Sequence, residues 1–357
     1  MPQTGSSIWP RPGLRWSTLA ILCAALIGAF FLSLSMGSVS IPLDAVAAIL
    51  SGSEAPKESW GHIVLSIRLP RALVAALAGA ALSSSGLEMQ TLFRNPLADP
   101  FVLGISAGAS LGVALVVLGS ASTASSLLAP IGLTGHLGVV GAAVTGAALA
   151  MGLVLLVGRR VQHAMTLLIL GLMFGYLTSA IVSVLLYFSM PEQIQSYVQW
   201  TFGSFGSATW SQLRVLTPVI LFGLATAFLL AKPLNALLLG ESYARSMGLA
   251  VRNTRIAVIA SAALLAGTVT AYCGPIGFLG IAVPHLCRSL FNSSDHRVLL
   301  PTGMLLGALL ALVADLVARM PGSQATLPLN AVTALVGAPI VTWIILRRHN
   351  LRQSFAA

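Results

Sequence analysis

Ten apolar runs, most of them near twenty residues and almost free of charge, follow one another along the chain. They lie near 18–36, 72–92, 101–119, 136–157, 166–188, 213–231, 255–273, 276–290, 299–318 and 330–346. A spanning helix needs about 20 mainly apolar residues to cross a bilayer. Of 357 residues, 57% are apolar and 8% charged, whereas about 25% are charged in a typical soluble protein. Nineteen basic and nine acidic residues cannot clothe a water-soluble fold of this length. A soluble enzyme, a disordered chain and a disulfide scaffold are therefore excluded. The expected fold is all-α: one polytopic membrane domain over 1–357 with about ten transmembrane helices. Residues 1–17 form an N-terminal tail, and 232–254 form the longest inner loop. The run at 18–36 is long for a signal-peptide core and lacks a convincing small-residue cleavage site, so it is read as a retained helix. Cys23, Cys273 and Cys287 lie in or beside apolar runs with no metal-ligand spacing, which marks them as core residues.

A net charge of +10 would point to nucleic acid in a soluble protein. In a membrane protein it marks the cytoplasmic loops, and no nucleic-acid partner is expected. With the N-terminus inside, fourteen of the nineteen basic residues, from Arg11 and Arg15 to Arg348 and Arg352, fall on the inner side. Lys57, Arg68, Arg71, Arg214 and Arg319 fall on the outer side. Both termini are then cytoplasmic, as an even number of spans requires. Gly104-xxx-Gly108-xxx-Gly112, Gly171-xxx-Gly175 and Gly303-xxx-Gly307 place small residues on one helical face, where backbones can approach. No sequence repeat joins the two halves, but any 5+5 duplication would have to be inverted in the membrane.

No G-x-x-x-x-G-K-[ST] occurs anywhere in the chain, so it cannot cradle ATP phosphates by that device. Ion coupling in membranes commonly uses buried carboxylates. Only Glu88 and Asp315 fall inside spans, each within about a turn of an end, where the side chain is expected to snorkel outwards. With no nucleophile–base pair or metal cluster either, no enzymatic site is expected on this chain.

The outer arginines carry more information. Arg68-Leu-Pro-Arg71 sits where the second span is expected to begin, so its cations oppose the helix dipole, and Arg319 lies at the outer end of the ninth span. One reading has them reach lipid phosphates, with Asp315 and Arg319 paired at i, i+4. The other makes them an outer basic collar for an acidic partner. On the inner side, Gly240-Glu-Ser-Tyr-Ala-Arg-Ser-Met-Gly-Leu249 predicts a short helix starting at Glu241, with Gly248 as its C′ residue. Such a helix either lies at the lipid interface or presents a knob to a soluble partner.

Taken together these motifs resemble the FecCD-type permeases of ABC importers for iron chelates and vitamin B12. The resemblance rests on Arg68-Leu-Pro-Arg71, Phe93-Arg-Asn-Pro-Leu-Ala-Asp-Pro-Phe-Val-Leu-Gly104 and the Gly240–Leu249 loop. Gly277-Phe-Leu-Gly-Ile-Ala-Val-Pro-His285, Asp295-His-Arg-Val-Leu-Leu-Pro301 and Leu327-Pro-Leu-Asn-Ala-Val-Thr-Ala-Leu-Val-Gly-Ala-Pro339 complete it, in order from about 41 to 348. One departure is Thr326, where many relatives carry an acidic residue. The resemblance implies a homodimer in the bacterial inner membrane, two copies of a separate ABC ATPase and a periplasmic substrate-binding protein. ATP and Mg²⁺ would be held by the ATPase, with no cofactor on this chain. Arg68, Arg71 and Arg319 match binding-protein docking positions. Glu241, Ala244, Arg245 and Gly248 match the loop that couples to the ATPase. The segment 199–210, with Trp200, Phe202 and Phe205, matches a gate region, although its aromatics also suit an interfacial belt. The segment is slightly closer to hemin permeases, which favours heme over a ferric siderophore, with vitamin B12 as the alternative cargo and an ion-coupled secondary transporter as the alternative mechanism. The histidines His136, His163, His285, His296 and His349 are not spaced as a heme relay, and His285 and His296 are expected to be structural.

Overall fold

A helix axis that is apolar nearly all round can be buried on every side, and residues 69–92 supply one. In the computed structural model, which describes residues 16–53, 57–119, 136–158, 160, 164–207, 209–320 and 326–347, every residue from Ala78 to Phe93 is buried. Arg11, Arg15, Arg159, His163, Arg348, His349 and Arg352 lie outside the described residues. The chain starts with α1 (Trp16–Ser35), α2 (Leu43–Leu50) and α3 (Glu58–His62). A π-helical turn (Ile63–Arg68) leads directly into α4 (Leu69–Leu92). A 3₁₀ turn (Pro100–Leu103) precedes α5 (Ile105–Val117), followed by α6 (His136–Gly158), α7 (Ala164–Tyr187) and α8 (Pro191–Thr201). Then come α9 (Trp210–Leu229), α10 (Ala231–Leu238), α11 (Glu241–Ser246) and α12 (Val251–Cys273). The last three are α13 (Leu279–Phe291), α14 (His296–Ala318) and α15 (Leu329–Arg347).

All ten apolar runs form helices. Among the described residues, seven helices are long and apolar enough to cross a membrane, and α5, α13 and 329–342 are shorter apolar helices. The expected second span differs in its start. Arg68 and Arg71 do not open a helix, because one helical run continues from Glu58 to Leu92. Pro70 would clash with the carbonyl four residues back in a regular α-helix and offers no N–H. The wider π turn accommodates it. In the π register the Leu65 carbonyl would look to the missing Pro70 N–H, and the Trp210 indole donates to it instead, at 2.9 Å.

Around α4 the bundle packs α14, α12, α13 and α9. Contact distance is set by glycine. A Cβ added to Gly79 would lie 2.1 Å from the Gly307 oxygen, and one on Gly86 would lie 1.9 Å from the Gly280 oxygen. Gly108 and Gly112 meet Gly146 and Ala142 of α6 in the same way. Two members of the expected stripes act differently. Gly175 has no neighbour within 4 Å, and Gly104 precedes α5 with φ +78°, a left-handed turn that suits glycine. Polar side chains on α4 are absorbed locally: Ser84 donates to Ala80 O, Thr91 to Leu87 O and Ser85 across to Ala262 O.

Glu88 does not snorkel. It is wholly buried, both carboxyl oxygens lack a well-formed hydrogen bond, and the Ser261 hydroxyl of α12 faces them. Its Cα lies a turn from the helix end, but α12 and α13 cover that turn, so the side chain has no route to water.

Overpacking a tight contact costs about 1–3 kcal/mol. Gly307→Ala should therefore lower the thermal midpoint of the detergent-solubilised protein well below that of Gly152→Ala, where no atom lies within 4 Å. Equal midpoints would mean that the α4–α14 approach is not limiting.

Candidate functional site

Functional candidates gather at the two ends of the bundle. At the end where α1 stops, the last carbonyls of that helix have no intrahelical donor and carry partial negative charge. Two guanidinium groups fill this position. Arg68 Nη1 donates to Leu34 O and Ser35 O, each at 2.7 Å, and its Nη2 donates to Val39 O. Arg319 Nη1 donates to Ser33 O at 3.0 Å and Met36 O at 3.1 Å, with Nη2 on Ser33 Oγ at 2.7 Å. Asp315 then takes charge-assisted bonds from both sides: Arg71 Nη2 at 2.8 Å and Nε at 2.9 Å, and Arg319 Nε at 3.1 Å. The i, i+4 pair expected on α14 is therefore present, with Arg71 of α4 as an additional partner.

This geometry differs from an outward-facing collar and from snorkelling to lipid. Arg68 and Arg319 are only 5% and 8% exposed, and Asp315 only 1%. Arg71 keeps a 19% exposed side chain beside Gly206. Single-sequence reasoning missed the inward turn because the acceptors are main-chain carbonyls of a distant helix, which leave no residue-type signal.

Between the fifth and sixth spans, the aromatic segment splits. Phe205 is 1% exposed and belongs to the main core, Trp200 is half-buried against Tyr197, and Phe202 is 44% exposed. Backbone bonds seal the segment to the rest: Ser204 N–H donates to Cys273 O at 2.8 Å, and Asn330 N–H to Phe202 O at 3.0 Å. Asn330 Oδ1 in turn accepts from Gly277 N–H. An apolar cavity of about 580 Å³ lies between α5 and α6 beside Phe174, with no ionisable side chain among its described lining residues.

At the opposite end α11 stands between Gly240 (φ +110°) and Gly248 (φ +84°). Ala244 is fully buried against Leu237 and Val251, while Tyr243 and Met247 are each about half exposed. Glu241 pairs with Arg255 of α12 at 2.6 Å. Arg245 is exposed at the end of α11. The neighbouring α10 is fastened by Asn235, which donates to Asp295 at 2.6 Å and accepts from the His296 backbone at 2.9 Å. His296 lies 2.7 Å from Asn235 through Nδ1 and 2.7 Å from Thr91 through Nε2. His285 Nε2 sits 2.8 Å from Pro96 O. His296 thus ties α4, α10 and α14 together, and His285 ties α13 to the connection after α4. In the connection before α5, Asp99 accepts from the Phe101 N–H as a cap, and burial pushes its carboxyl up to about 6.

The sequence profile of the FecCD transport family matches residues 25–347. The hemin transport system permease HmuU of Yersinia pestis is 38% identical over 322 residues, covering 90% of this chain and 94% of the relative. The vitamin B12 import permease BtuC of Klebsiella pneumoniae is 40% identical over 285 residues, covering 80% and 82%. A solved structure described as an inward-facing conformation of a metal-chelate type ABC transporter superposes with a TM-score of 0.80 at 30% identity. It covers 93% of this chain and 99% of that one.

Removing one partner of a buried ion pair costs about 3–5 kcal/mol, whereas pairs with water access contribute far less. Arg319→Gln should therefore lower the thermal midpoint much more than Arg71→Gln. The reverse order would mean that Arg71 is the structural member of the cluster. For Asp99, the folded chain holds a proton more tightly than the unfolded chain between about pH 4 and 6. Its contribution to stability therefore falls as pH rises through that window. Asp99→Asn keeps the cap acceptor and should flatten that part of a thermal-unfolding series measured against pH.

Proposed function

This chain belongs to the FecCD transport family, and on that premise we propose that it is the membrane permease of a binding-protein-dependent ABC importer. It passes a metal chelate inward, driven by ATP hydrolysis on a separate subunit. The observation that carries this reading is the family match over 25–347, which runs from within α1 to the end of α15. The working assembly is a homodimer in the bacterial inner membrane with two ATPase subunits, which hold ATP and Mg²⁺, and a periplasmic binding protein. Both termini are cytoplasmic, in keeping with the basic residues of the inner loops.

In this reading the loaded binding protein docks at the end bearing Arg71. Arg68 and Arg319 support that surface from beneath by fixing the end of α1 and the chain up to Val39. Arg71 is the member whose charge reaches solvent and can meet an acidic partner. At the other end α11, with Glu241, Ala244, Arg245 and Gly248, sits in a groove of the ATPase and transmits its closure. Cargo leaves the binding protein for a path along the dimer axis, past a gate formed by the segment that includes Trp200, Phe202 and Phe205.

The cargo is proposed at the level of a macrocyclic metal chelate. Relatives named for hemin and for vitamin B12 are about equally similar. The leaning towards heme from the aromatic segment loses weight, because Phe205 is core and the Trp210 N–H is engaged. A second reading, ion-coupled transport, draws on the wholly buried Glu88, which faces only the Ser261 hydroxyl among the described residues.

Both are tested in proteoliposomes containing the permease with its ATPase and binding protein, with hemin and cyanocobalamin as probes. Uptake should require ATP, the ATPase and the binding protein together, and Glu88→Gln should preserve it. Uptake by the permease alone on an ion gradient, lost in Glu88→Gln, would replace the ABC reading with the ion-coupled one.

A further inference from the structure

The short helix α11 is joined to the membrane body by few contacts. It has six residues and is bracketed by Gly240 and Gly248, both in backbone conformations that side chains other than glycine rarely adopt. Such brackets let a short segment pivot. Backbone bonds close both ends, among them Leu249 N–H to Ala244 O at 3.0 Å, and two side-chain contacts oppose the pivot. Ala244 packs on Leu237 and Val251, an anchor formed by a single methyl group. Glu241 meets Arg255 at 2.6 Å, with Arg255 only 5% exposed and the Glu241 side chain 35% exposed. The ion pair is a charged link between α11 and a spanning helix.

Arg255 occupies the first turns of α12, and α12 is the helix through which movement at this end would spread. It packs on α4, α5, α6 and α9, and most of its length is buried. A charge-assisted hydrogen bond is short and strong, and the Arg255 Nη2 to Glu241 Oε1 contact at 2.6 Å is of that kind. A pull or push on α11 therefore reaches α12 through Arg255, whereas the Ala244 contact can slide.

We propose that the Glu241–Arg255 ion pair is the mechanical link between the α11 knob and the transmembrane body, and that Arg255 is a positioning residue for coupling. The proposal rests on the reading of α11 as the ATPase contact. Without the pair, α11 still docks on the ATPase through its exposed Tyr243 and Met247, but its displacement is taken up by rotation about the two glycines.

The test uses the full complex of permease, ATPase and binding protein in proteoliposomes, with hemin and cyanocobalamin as cargo probes. Arg255→Gln should retain the ATPase on purification and hydrolyse ATP at the basal rate, while cargo moved per ATP falls by about tenfold. Arg255→Lys keeps the charge and should recover a large part of the loss. The exchange Glu241→Arg with Arg255→Glu should recover transport relative to either single change, an outcome that a merely stabilising role for Arg255 does not produce. A lowered thermal midpoint with unchanged cargo per ATP in Arg255→Gln would overturn the proposal. So would an exchange variant that folds, holds the ATPase and transports no better than the single variants. If the unmodified complex shows no ATP-dependent uptake, the importer reading itself fails; if it transports and Arg255→Gln does so equally well, only the linkage fails.

Discussion

Backbone-to-backbone contact along α4 is the constraint on which the rest of the structure depends. Lipid offers no hydrophobic drive between helices, so association relies on close packing and internal hydrogen bonds. Gly79 against Gly307 and Gly86 against Gly280 bring α14 and α13 to within contact of the α4 main chain, and Ser85 bonds across to α12. Once those three helices are seated, α4 is sealed from lipid. Polar residues that would be unacceptable on an exposed span, including Glu88 and Gln90, can then be carried inside. The shape of the helix bundle at both ends follows from how these helices emerge.

At one end, the emerging helices leave a charge problem, and arginine solves it. The carbonyls at the end of α1 would be unsatisfied near lipid, and cations near a helix C-terminus are favourable. Arg68 and Arg319 satisfy them from two different helices, and Asp315 offsets the positive charge so gathered. This end of the bundle is thereby held firmly, with Arg71 as its charged edge. The opposite end is built differently. There the side chains of α11 hold it by a methyl contact and an ion pair, between two positive-φ glycines, while α10 beside it is fixed by the Asn235–His296–Thr91 chain. A firm end and a lightly held short helix at the other are what the importer proposed above would use, loaded from one side and driven from the other.

Much of this was legible from the residue order. The ten apolar runs each became a helix, because about 20 apolar residues leave a membrane chain little other choice. The short helix at Glu241 was also recoverable, since it depends on neighbours a few residues away. The stripe Gly303-xxx-Gly307 was identified as a contact face, but its partner α4 was not, and Gly175 in an identical pattern meets nothing.

What the sequence by itself determined is therefore local: the position of the ten apolar helices, the short helix at Glu241, and the absence of a phosphate-cradling loop. Periodicity, loop charge and capping are all short-range properties, and each leaves its mark within a turn or two. Only the tertiary structure decided which way the arginines face, that the second span runs through Pro70 without a break, and that Glu88 and Phe205 are enclosed. Those outcomes depend on groups far apart in the chain. The acceptors for Arg319 are the carbonyls of Ser33 and Met36, and the donor that makes the π turn at Leu65 tolerable is Trp210. A main-chain carbonyl is the same in every residue, so no pattern of side chains announces which one a distant guanidinium or indole will find.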